Sequence, residues 1–145
     1  SILQYKDKFD IFTIGCSSGG FAALLFGNLL RARRIVCLSP QTLLPRPLPF
    51  PDTKCLAGVD PTYFDLLHAL DWRVSHGEIH LYYSHDYDSD RLACERMQQA
   101  AGVHLHPFSA GKEHNIAGWL RSRGLLAQEI RRCFSESAPD EVSLP

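Results

Sequence analysis

Short apolar runs alternate along this chain with longer helix-compatible stretches, and that alternation predicts its architecture. Residues 11–14, with Ile11, Phe12 and Ile14, read as a strand buried on both faces, as strands of parallel sheets are. Residues 21–31 follow as a helix that is apolar nearly all round, which predicts cover on most sides. Arg34–Leu38 is a second strand, and Asp60-Pro61 starts a helix to Leu70 with an acidic cap and proline at its first position. Glu78–Ser84 is a third strand, residues 90–101 a helix closed by Gly102, and Val103–Phe108 a fourth strand. One continuous last helix is predicted over residues 116–134. Strands separated by helices form right-handed parallel crossovers, so the fold class is α/β: a mainly parallel sheet of about four strands between flanking helices, in three layers. Residues 1–134 form one domain in this reading, and residues 135–145 a frayed tail.

The first strand-to-helix junction carries the strongest chemical signal. It reads Gly15-Cys16-Ser17-Ser18-Gly19-Gly20, a G-x-S-x-G motif on a sharp turn that holds a serine hydroxyl clear of the backbone. A side chain at Gly15 or Gly19 is expected to crowd that turn. The new helix aims its first N–H groups at the turn, favouring negative charge there, and the N–H of Ser18 is the expected oxyanion donor. Cys16 is expected to be a small buried residue.

Open parallel sheets hold their sites beyond the carboxyl ends of the strands. Ser17, the acidic loop Asp86, Asp88, Asp90, and His114 all follow strand ends, so all are expected at one edge. Their chemistry is mutually consistent. A serine hydroxyl needs a base within hydrogen-bond reach, histidine suits near neutral pH, and a carboxylate behind it fixes its tautomer. Asp90 also reads as a helix N-cap. His68, His76, His80, His85, His104 and His106 read as structural or solvated. His104 and His106 share a strand face without a carboxylate at ligand spacing, so no metal site is expected.

Composition narrows the partners. The chain has 145 residues, 45% apolar and 21% charged, with formal net charge −1, which gives no bulk electrostatic reason to expect nucleic acid or an anionic membrane. The five cysteines are scattered and odd in number, without C-x-x-C spacing, consistent with reduced thiols in a cytoplasmic protein. No apolar run approaches the roughly 20 residues of a membrane span. The glycine-rich turn lacks the Lys-[Ser/Thr] of a phosphate-binding loop, and no cofactor is called for.

From residue 9 to residue 134 the layout resembles the second half of the α/β-hydrolase family. The residues that carry the resemblance are Gly15–Gly20 with Phe21-Ala22-Ala23-Leu24, the strand ending Leu38-Ser39-Pro40, and His114 before the last helix. The resemblance implies Ser17 as nucleophile, His114 as base, and Asp86 as the acid in preference to Asp90, because the family places its acid just after the penultimate strand. It also implies that the proline-rich segment from Gln41 to Pro61 builds a lid or pocket, with Leu43, Leu44, Phe50 and Tyr63 against the substrate. The function it implies is hydrolysis of a small-molecule ester, thioester or amide through an acyl-Ser17 intermediate. The alternative is a hydrolase-like binding or assembly module without turnover. The family's first half, with its other oxyanion donor, has no counterpart here. The apolar edge of the first strand is therefore expected to be covered by further chain of a longer protein, or by a second copy.

Overall fold

The computed structural model describes residues 8–44, 60–73 and 77–135. Phe50, the prolines from Pro45 to Pro51, His76 and the tail beyond Ser135 lie outside these residues. Four strands, β1 (Phe12–Cys16), β2 (Arg34–Leu38), β3 (Glu78–Ser84) and β4 (Val103–Phe108), form one all-parallel sheet in the order β1-β2-β3-β4. The helices are α1 (Ser18–Leu29), α2 (Leu66–Ala69), α3 (Asp88–Glu95), α4 (Ile116–Ser122) and α5 (Leu126–Phe134), with single 3₁₀ turns at Pro61–Tyr63 and Arg96–Gln99.

Sequential strand order decides where the helices go. Each crossover steps in the same direction, so right-handed connections put α1, α2 and α3 on one face. There Phe21, Ala23 and Leu24 of α1, Leu66 of α2 and Cys94 of α3 pack on Ile35, Cys37, Ile79, Leu81 and Tyr83. After β4 the chain turns back and covers the other face, with Ile116 and Leu120 of α4 and Cys133 of α5 against Val36, Leu38 and Tyr82.

β2, β3 and β4 have the predicted bounds; β1 and the helices differ in instructive ways. β1 is the sheet edge among the described residues, and it is not buried on both faces: Phe12 and Ile14 are exposed, Ile14 to 53%. Phe9 beside it, and Phe26 and Leu29 on α1, are exposed as well, so α1 is not covered on most sides. Phe12 still meets one ring of the last helix, Phe134, edge to face at 5.4 Å.

The helix expected from Asp60 to Leu70 is two short pieces. Asp60 caps the 3₁₀ turn through Thr62 N–H at 2.9 Å, but Asp65 then adopts an extended backbone and starts α2 by accepting Leu67 N–H at 3.1 Å. Its carboxylate also binds Arg96, and its backbone bridges Leu43, so tertiary contacts pull it out of helical register. The last helix breaks at Gly124, whose φ of 70° is the left-handed stop that separates α4 from α5.

One polar cluster interrupts the second core. Arg34 donates to Glu78 at 3.0 Å, Glu78 meets His80 Nε2 at 3.3 Å, and His80 Nδ1 meets His106 Nε2 at 3.0 Å. With His80 Nε2–H given to the carboxylate, its Nδ1 accepts from His106, which requires neutral His80. Burial, reinforced by His80, pushes His106 down to about 4, and burial also lowers His80 against the pull of Glu78. His104, Glu129 and Arg132 complete the charged surroundings of the pair. A histidine with a folded pKa below its unfolded value of about 6.5 contributes stability that is lost as pH falls from about 6.5 towards 4. Chemical denaturation is expected to show a loss of about 1–2 kcal/mol between pH 7 and pH 5, after discounting for partial exposure. The loss is expected to shrink in His106→Gln, which keeps a donor for His80.

Candidate functional site

Ser17 sits between the end of β1 and the start of α1, in a conformation that side chains rarely adopt, φ 54° and ψ −117°. Strain of this kind costs about 1–3 kcal/mol and persists only where surrounding bonds impose it. Here Ser17 N–H donates to Leu38 C=O at 3.0 Å, and Ser17 C=O accepts from Phe21 N–H at 3.2 Å and Gln41 N–H at 3.3 Å. The chain after β2 thus clamps the turn from the side.

Glycine matters at two points of the turn. A Cβ on Gly15 would run into the Gly19 carbonyl, and one on Gly20 would lie 2.8 Å from Pro40 Cβ. Gly19 itself faces open space, so the crowding expected there belongs to Gly20. The close pass of Gly20 lets α1 settle against the chain leaving β2.

The structure brings three of the sequence candidates into one line. Ser17 Oγ lies 2.8 Å from His114 Nε2, and His114 Nδ1 lies 2.9 and 2.8 Å from the two oxygens of Asp90. With Nδ1–H donated to the carboxylate, Nε2 is left to accept the serine hydroxyl. Asp90 is buried, with 2% of its surface exposed, while His114 and Ser17 are half-buried. His114 is fixed from several sides. Its carbonyl accepts Ile116 N–H at 2.9 Å, Asn115 caps α4 by accepting Gly118 N–H at 2.9 Å, and Tyr87 meets its ring edge to face.

The preferred acid, Asp86, is not the carboxylate at His114. It accepts the backbone N–H of Gly111 at 3.1 Å and lies 3.5 Å from His85 Nε2. It braces the 109–114 loop from below, as Ser84 does through its hydroxyl to the Gly111 carbonyl. The reason lies in where α3 starts. The helix begins at Asp88, capped at Tyr87, so Asp90 stands in its first turn and its buried carboxylate reaches His114. Asp90 is therefore not the N-cap, and Asp88 is spent on Arg91 at 2.8 Å.

Cys16, expected to be buried, is exposed, because β1 has no neighbour on its outer side among the described residues. Desolvation of its sulphur and the negative charge of Asp90 raise its thiol pKa, which makes it a poorer nucleophile than an ordinary cysteine. Ser18 is the first residue of α1, where its N–H has no partner within the helix.

Of the pocket candidates among the described residues, Leu43 lines a cleft, together with Pro40, Thr42, Leu92 and Ala93. Leu44 instead packs on the first core, and Tyr63 sits half-buried in the 3₁₀ turn. Leu92 and Ala93 escaped the sequence reading, since the side of α3 that meets the 40–43 segment follows only from its true starting residue. Thr42 escaped it too; its hydroxyl bond to Ala93 joins segments far apart in the chain. Among the described residues no group of three or more His, Cys, Asp or Glu is placed to hold a metal ion, and no helix is long and apolar enough to cross a membrane.

Searches against protein-family models, curated proteins and solved structures find no match to this chain.

Proposed function

We propose that the chain is a serine hydrolase of α/β-hydrolase type, acting on an ester, thioester or amide of a small molecule. One observation carries the reading: the continuous hydrogen-bonded line from Ser17 Oγ through His114 to the buried Asp90. In this mechanism Ser17 Oγ attacks the scissile carbonyl carbon while His114 Nε2 takes its proton. Asp90 stabilises the imidazolium and holds its tautomer. The tetrahedral oxyanion faces Ser18 N–H at the start of α1, and a donor of this kind is worth on the order of 3 kcal/mol. The C–O, C–S or C–N bond then breaks, the leaving atom takes the proton from His114, and water repeats the cycle on the acyl-Ser17 ester. The strained turn supports the reading, because such conformations are kept where function needs them.

A second reading is favoured by a different observation. Phe9, Phe12, Ile14, Phe26 and Leu29 form an exposed apolar border along the edge strand and its helix. Such a border suits a binding or assembly module that pairs with another polypeptide. A fluorophosphonate probe separates the two readings. Stoichiometric labelling that disappears in Ser17→Ala is expected for the hydrolase, and a full-length protein that resists the probe overturns that reading.

A further inference from the structure

At the Asp90 end of the line from Ser17 through His114 lies a cleft of about 300 Å³ between the 40–43 segment and α3. Its walls are tied together by one residue. Thr42 Oγ1 donates to Ala93 C=O at 2.9 Å, and Thr42 C=O accepts from Leu66 N–H at 3.1 Å and from Arg96 Nη1 at 3.3 Å. The cleft is also set in register with the serine. Gln41, which lines it, donates its N–H to the Ser17 carbonyl, and Asp90 lies in its wall.

The chemistry of the lining is mostly settled by its own pairs. Arg96 is held by both oxygens of Asp65 and Asp88 by Arg91, so neither presents an uncompensated charge. Besides the polar Gln41 and Ser89, what lines the space is aliphatic: Pro40, Leu43, Leu92 and Ala93, with Leu92 exposed to 58%. A preformed apolar concavity beside a polar reacting centre is the usual form of a small-molecule site, and 300 Å³ falls at the small end of the range of about 300–1,000 Å³.

We infer that this cleft receives the apolar hydrocarbon group of the substrate, and that its size selects a short aliphatic chain or a single ring. The inference rests on the hydrolase reading for its catalytic consequence, but not for binding itself. The hydrocarbon belongs either to the acyl or to the alcohol part of the ester, and matched substrates distinguish them.

The test compares ethyl acetate, ethyl hexanoate, ethyl dodecanoate and hexyl acetate with the full chain. The expected kcat/KM is about tenfold higher for one six-carbon ester than for ethyl acetate, and falls again for the dodecanoate. A preference for ethyl hexanoate assigns the cleft to the acyl group, and one for hexyl acetate to the alcohol. Ala93→Leu, which fills the cleft, is expected to cut the six-carbon preference about tenfold. Leu92→Ser, at an exposed position where folding is not at risk, is expected to weaken it in the same direction. An unchanged preference in both variants, with Ser17 still labelled by fluorophosphonate, overturns the inference and leaves the hydrolase reading standing. A readout free of turnover uses Ser17→Ala titrated with hexanoate and with hexanol. Methyl NMR shifts at Leu43, Leu92 and Ala93 are expected with one of the two. Their absence with both overturns the inference, whether or not the wild type is labelled.

Discussion

Replacing His114 by alanine is expected to lower kcat on an activated ester such as p-nitrophenyl acetate by about 10³–10⁴-fold, with little change in KM. Without the imidazole, the Ser17 hydroxyl keeps its proton at neutral pH and has no group to receive it during attack. The 2.8 Å contact to Nε2 is lost, and no other described side chain is hydrogen-bonded to Ser17 Oγ. The effect falls mainly on kcat because proton transfer belongs to the transition state, whereas His114 contributes little to the cleft that would hold the substrate. Folding is not the obstacle. His114 is half-buried in a loop, and the 109–114 loop keeps its braces at Gly111 from Asp86 and Ser84. Steady-state kinetics beside a thermal melt checks both points. A loss below about tenfold with the melt unchanged refutes the base assignment and with it the proposed chemistry.

β2 was legible because Ile35-Val36-Cys37-Leu38 is an unbroken apolar run, as burial on two faces requires, and β3 because Leu81-Tyr82-Tyr83 is a strand-prone run although Glu78 and His80 interrupt its start. β1 misled on one point. A strand at the sheet edge can be as apolar as a central one, and only the neighbour it lacks reveals its exposure. Helix bounds were legible where one residue dictates the backbone, as proline does after Asp60. They failed where a distant partner decides. Arg96 drawing Asp65 out of the helix is a contact across thirty-one positions, which no local pattern encodes. Gly124 was a readable stop, overlooked because apolar residues on both sides of it keep a helical spacing. The serine of the candidate site could be read from the G-x-S-x-G turn, and the histidine from its place in a loop after a strand together with the family resemblance. The acid could not, since choosing among three nearby aspartates depends on whether α3 starts at Asp88 or at Asp90. The cleft was the least legible feature, being assembled from segments some fifty positions apart.

That difference of helix start makes a sharp experiment. Asp90→Asn is expected to reduce kcat on the same ester by about 10³–10⁴-fold, while Asp86→Asn is expected to stay within about threefold of the wild type. The amide introduced in place of the Asp90 carboxylate is nearly isosteric with it, but its two ends differ. If its NH₂ faces Nδ1, His114 must accept there and carry its proton on Nε2, so that Ser17 meets a donor rather than an acceptor. If its carbonyl oxygen faces Nδ1, the tautomer is kept, but the negative charge that stabilises the imidazolium in a buried setting is gone. Either way the transition state loses what the carboxylate supplied. Asp86, by contrast, accepts a hydrogen bond from Gly111 N–H, and an asparagine carbonyl accepts it equally well. Its substitution therefore leaves the loop and the imidazole where they are. Reversal of the two results would assign the acid to Asp86 after a loop rearrangement. Equal, small losses in both variants would mean that His114 needs no carboxylate, and a Ser17–His114 dyad would then replace the three-residue line.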